Sequence, residues 1–138
     1  MIVEFARHVL RVEHADHAET NPDASELVIT PLVCSLVGRR ATVTFTPCTR
    51  ASAIYGATCS VEPYFCNYGL APAYEPRLEA AGLHISGRDP DGTACVVELD
   101  GHPFFVATLY VFQAREAASA PHPITRAFVS ATRQQLHG

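Results

Sequence analysis

Asp89-Pro90-Asp91-Gly92 constrains what this chain can fold into more than any other stretch. Proline presets one turn dihedral and glycine accepts positive φ, so the backbone reverses there. The turn lies between His84-Ile85-Ser86 and Ala94-Cys95-Val96-Val97-Glu98-Leu99, and two such runs joined by turn chemistry read as a β-hairpin. Phe104 to Tyr110 follows, apolar almost throughout, as expected of a strand covered on both faces in an α/β sheet.

The rest of the chain supplies more strands and the helices to cover them. Leu27 to Leu32 is apolar, and Ala41, Val43 and Phe45 alternate with Thr42, Thr44 and Thr46, the period of a half-buried strand. Ile2, Phe5, Ala6, Val9 and Leu10 recur at helical spacing opposite Glu4, Arg7, His8 and Arg11, which predicts a helix over 2–12. Nothing before Ile2 offers a cap for its first amides, so the helix reads as one entered partway. Pro72 can open and Gly82 close a second helix carrying Tyr74, Leu78 and Ala81 on one side. Pro123 opens a third, with Ile124, Ala127, Phe128 and Ala131 as its apolar face.

At 138 residues and 48% hydrophobic content, the chain fits a single domain over 1–138 with a sizeable core. The Ala-Ser-rich piece Ala117 to Ala120 is too short for a domain boundary. All ten basic residues are arginine, the formal charge is -4 and no basic run exists, so the sequence carries no footprint for nucleic acid or an anionic membrane. Met1 leads straight into Ile-Val-Glu, and no segment reaches the roughly 18 to 20 apolar residues that cross a bilayer; a soluble cytoplasmic protein is expected. Five cysteines form no CxxC pair, which signals neither a disulfide framework nor a zinc site and leaves reduced, mostly buried thiols as the expectation.

Gly82 through Gly92, then Val97-Glu98-Leu99 and His102-Pro103-Phe104-Phe105-Val106-Ala107-Thr108, closely resemble the end of CTP synthase, a family with a class I glutamine amidotransferase domain. Val3-Glu4-Phe5-Ala6-Arg7 with Val9-Leu10 resembles the helix after that family's nucleophile, and Pro121-His122-Pro123 with Ala127-Phe128 resembles its last helix. Thr30 to Val37 and Cys66-Asn67-Tyr68-Gly69-Leu70 are similar, more closely still, to the CTP synthase C-terminal-region-related (seleno)proteins. The resemblance implies an α/β fold, part of the flavodoxin-like sandwich of class I amidotransferases, lacking its first strands.

In such enzymes a cysteine at a Gly-x-Cys-x-Gly turn, with a histidine and a glutamate from the end of a later strand, hydrolyses glutamine. By ungapped comparison the nucleophile falls several residues before Met1, and the histidine and glutamate positions hold Val111 and Gln113. Valine cannot accept a proton, and an amide cannot stabilise an imidazolium as a carboxylate does. Glu19 matches the glutamate that holds the amino group of glutamine. Asn67 stands where the family has a substrate-binding arginine, before the family's tyrosine at Tyr68. Losing that guanidinium removes a charge-assisted bond, so the expected partner is glutamine or a related small molecule. The selenoprotein likeness suggests a start set at the first methionine after a UGA codon; a small protein that simply begins at Met1 is the other reading.

Cys66 is weighed as a substitute nucleophile against a small buried thiol. His14 and His17, near Asp16 and Glu19, are weighed as metal ligands against a solvated surface, and the surface is favoured: no metal and no cofactor are expected. His102 and His122 precede prolines, where turn geometry explains them. Two functions follow: an incomplete glutaminase-like amidotransferase domain, inactive as written, or a non-catalytic small-molecule-binding or regulatory domain on the same scaffold. A sheet cut at its first strands would leave Ile2, Phe5 and Val9 poorly covered, so self-association or pairing with an upstream fragment is expected.

Overall fold

The computed structural model describes residues 1–115 and 120–137, so the boundary expectation at Ala117 to Ala120 lies, for 117–119, outside the described residues. Helix α1 (Ile2–His8) leads to strand β1 (Ala15–His17), which lies parallel to β2 (Glu26–Pro31). Next come β3 (Arg39–Phe45), α2 (Arg50–Tyr55), β4 (Cys59–Tyr64) and β5 (Tyr68–Leu70). A 3-10 turn at Pro72–Tyr74 runs into α3 (Glu75–Ala80). Strands β6 (Leu83–Arg88), β7 (Ala94–Leu99) and β8 (Val106–Thr108) precede α4 (Pro123–His137). The strands form a three-stranded sheet, β1-β2-β5, and a five-stranded one, β4-β3-β6-β7-β8. The α/β class expected from the sequence is present.

The hairpin forms where the turn chemistry puts it. Asp89 accepts the backbone amides of Asp91 and Thr93 on Oδ1 at 3.0 and 2.8 Å, and Gly92 takes φ +86°. Between Ile85 and Gly87 the pairing slips by one residue, a bulge that turns Gly87 toward Val96 and Val43. A Cβ there would lie 2.8 Å from a Val96 methyl, so glycine is required by contact. Strand β7 carries apolar side chains on both faces, Ala94 and Val97 toward one core and Cys95 and Val96 toward the other, while β6 gives Leu83 and Ile85 to the first. Val28, Leu78, Leu83, Ile85 and Val97 belong to one cluster; Val43, Phe45, Tyr64, Cys95 and Val96 belong to the other.

Three elements differ from expectation. Helix α1 ends at His8 rather than near residue 12, because Arg11 adopts a φ of +59° that no α-helix can contain. The run from Phe104 to Tyr110 contributes only three strand residues, all partly exposed, since β8 pairs with β7 alone and ends the sheet. On α4, Ile124 is buried but Phe128 is 52% exposed, touching Phe104 edge-on at 5.6 Å.

Helix α2 shows how short elements are held here. Thr49 Oγ1 accepts the Ser52 amide at 3.2 Å, and Gly56 closes the helix in the left-handed region. The Glu98 carboxylate on β7 accepts the amides of Arg50 and Ala51, both at 3.0 Å, satisfying donors that a helix start leaves open.

Candidate functional site

Between the two sheets lies a cleft of about 440 Å³. Strand β1 and the turn after it supply His17 and Glu19, the segment entering β5 supplies Cys66, Asn67 and Tyr68, and β7 and β8 supply Cys95 and Thr108. The pairing of β2 with both β1 and β5 brings these distant segments side by side.

The turn after β1 is held from several directions. Asp16 accepts the His17 amide at 2.8 Å and the Asn21 side-chain amide at 3.1 Å, with Arg7 3.7 Å away. The backbone hydrogen bond from His17, then the one from Asn21, keep the Asp16 carboxyl below its ordinary pKa. The amides of Thr20 and Asn21 both donate to the His17 carbonyl. The His17 ring packs against Tyr68 with centroids 5.1 Å apart, and its Nδ1 accepts the Glu19 amide at 3.1 Å. That bond engages the lone pair of Nδ1 and leaves Nε2 as the ring's other polar atom.

Cys66 is partly buried, and its thiol donates to the Leu109 carbonyl at 3.7 Å. Burial pushes its pKa up, which favours thiol over the nucleophilic thiolate. Cys95, 1% exposed, is pushed up to about 11 by burial.

No family model matches the chain. It is 33% identical over 144 residues to CTP synthase from Herpetosiphon aurantiacus, covering 97% of this chain and 27% of that protein. It is likewise 33% identical over 141 residues to CTP synthase from Carboxydothermus hydrogenoformans, covering 95% of this chain and 26% of that one. The chain thus spans about a quarter of the length of the curated relatives it matches. Its fold matches a solved glutaminase domain of Trypanosoma brucei CTPS with bound acivicin at a TM-score of 0.89 and 22% identity, over 96% of this chain and 56% of that one.

The chain is homologous to the glutaminase part of CTP synthase.

In this CTP synthase-type fold, Glu19, Cys66, Asn67 and Tyr68, separated by up to 49 positions in sequence, meet at one cleft. Val111 and Gln113 do not line it. Val111 gives its amide to the Pro63 carbonyl at 2.8 Å, and Gln113 is exposed in a 3-10 turn. Among the described residues no three His, Cys, Asp or Glu side chains gather as a metal site, and no helix is long and apolar enough to cross a membrane. His14 is exposed away from the cleft.

Two expectations require correction. His17 is not a solvated surface group: it lines the cleft and packs on Tyr68, a neighbour 51 positions away that nothing local in the sequence announces. The thiols are not mostly buried either, since Cys34, Cys48 and Cys59 are exposed. They fall in turns or at a strand's outer start, where neighbouring chain cannot cover them.

His102 and His122 each accept the backbone amide two residues ahead on Nδ1, both at 3.2 Å, the turn role expected of them. His122 has a further partner. Its Nε2 lies 3.3 Å from Glu62, a fully buried carboxylate that also meets Arg115 at 3.2 Å and Ser60 at 2.7 Å. Glu62 Oε2 has no partner among the described residues.

Proposed function

We propose that this chain is a glutamine amidotransferase-like domain that binds a glutamine-type amide and does not hydrolyse it as it stands. One observation carries this reading: Glu19, Asn67 and Tyr68 converge on a single cleft in a glutaminase-type fold. Glu19 supplies an acceptor for an amine, Asn67 both donates and accepts, and Tyr68 covers the ligand with its ring. The relatives' activity in making CTP belongs to proteins about four times as long, so only the amide-handling part comes to this chain.

Inactivity follows from the residues that stand at the catalytic positions. Val111 and Gln113 can neither take a proton nor orient a base, and Cys66 is held as a thiol donating to a carbonyl. The likeness to the selenoprotein group predicts an in-frame UGA or UGC amid glycine codons upstream of Met1, where the family's nucleophile elbow would fall. Sequencing about ten codons there checks it; their absence removes that relation.

Ammonia release from glutamine is the decisive assay, run on the chain alone and with an upstream extension restored. No release by the chain alone is expected; release would overturn the reading. The second reading, a regulatory or binding domain that has discarded its chemistry, is favoured by the same Val111 and Gln113. Release by the extended form rejects it.

A further inference from the structure

Strand β8 ends the five-stranded sheet with one edge open. Leu109 gives its amide to the Cys95 carbonyl at 2.8 Å, and the register sets Thr108 opposite Val96, Ala107 opposite Val97 and Val106 opposite Glu98. Antiparallel strands alternate between pairs that exchange hydrogen bonds and pairs that do not. Leu109 and Ala107 therefore turn their backbone groups to β7, while those of Val106 and Thr108 point away from it and have no backbone partner among the described residues. An open edge is ordinarily guarded by charge, proline or a bulge. Residues 101–114 hold no Asp, Glu, Lys or Arg, their one proline, Pro103, lies before the strand, and the β7–β8 register runs without a shift. Shortness alone guards this edge.

Outward groups two residues apart are what a strand related by a twofold axis can match. With Ala107 on the axis, Val106 of one copy faces Thr108 of the other, and each such pair exchanges both of its hydrogen bonds. The side chains agree with the backbone: Phe105 and Ala107 pack against the first core cluster, Phe104 and Val106 against the second, so both layers continue across the axis. Beside the edge runs a groove of about 400 Å³ lined by Phe104, Phe105, Val106, Phe112, Ile124 and Phe128, the last 52% exposed. In a chain of formal charge -4, a stretch without carboxylates lets two copies approach without like charges facing each other. We infer that β8 and this groove form the contact between two copies of the chain, paired antiparallel about Ala107 into one continuous sheet. Two three-residue strands and a groove cover less than the roughly 800 Å² per partner of standard interfaces. Met1 also brings its α-ammonium group to the groove, so the dimer is reversible.

Sedimentation velocity of the whole chain from about 1 to 100 µM, with the variants V106P and A107C alongside, tests the pairing. V106P removes an amide that the β7 ladder does not use, so its circular dichroism is expected to match the native protein's while its dimer dissociation constant rises at least about tenfold. A107C sets two thiols at a non-hydrogen-bonded pair with Cα atoms roughly 4.5 Å apart, within disulfide range. Oxidised glutathione, itself reduced to two thiols, is expected to yield a dimer whose disulfide maps to residue 107 in both copies. A monomer throughout the range overturns the inference. So does association in which A107C forms no 107–107 bond, or which a folded V106P leaves at native strength. Where V106P does not fold, the mapped bond decides alone.

Discussion

Cys34, Cys48 and Cys59 are open to solvent, Cys66 is half-covered, and Cys95 is enclosed with its pKa near 11. Thiolate availability sets the rate of reaction with a disulfide reagent, so the native protein is expected to show three fast thiols and two slow ones at pH 7.5. Mass spectrometry after brief labelling checks this, and rapid modification of Cys66 would revive it as a nucleophile. His84 provides a second residue-scale test. It sits 2.7 Å from both Glu79 and Asp100, and the hydrogen bond to Glu79, then that to Asp100, raise its pKa above the ordinary 6.5. A raised folded-state pKa contributes stability that is fully present below the unfolded value and is lost as pH rises through the folded one. H84Q is therefore expected to cost more at pH 5.5 than at pH 9, read from urea midpoints at both. With 38% of its side chain exposed, screening keeps that difference small.

Element by element, local signals were legible and long-range pairings were not. The β6–β7 hairpin could be read because Asp89, Pro90 and Gly92 encode the turn within four residues. Strand β4 escaped notice because it carries Glu62 and Pro63, types that argue against a strand; its place at the sheet's edge is what accommodates proline. Thr49 and Gly56 did mark α2, as a cap and a left-handed stop with six residues between them, and could have revealed it. The cleft itself was half legible. Glu19, Asn67 and Tyr68 came from family resemblance, whereas His17 joins only through its contact with Tyr68. Glu62 was invisible, since the partners that hold its buried carboxylate, Arg115 and His122, come more than fifty residues later. H122A takes a partner from this enclosed carboxylate, and a loss on the order of 3 kcal/mol in urea denaturation is expected. E62L removes the charge along with the need to pair it and should cost much less.

The molecule as a whole leaves apolar surface uncovered. Met1, Val9, Phe128, Val129 and Leu136 are exposed, as are Val33, Val37 and Phe65 on two neighbouring segments joined by the Leu36 amide and Cys66 carbonyl. Ile2 and Phe5, by contrast, pack partly onto the first core cluster, so only Val9 of the three helix residues is as bare as expected. Sedimentation velocity across a hundredfold range of concentration, roughly 1 to 100 µM, is expected to show reversible self-association; a single monomer boundary throughout would count against it. The β6–β7 hairpin has a consequence for how the molecule comes apart. Both apolar clusters are anchored on its two faces, so it works as a shared wall, and neither compartment can melt while the other stands. Amides of β6 and β7 should then exchange with deuterium last, and together, at the rate of global opening.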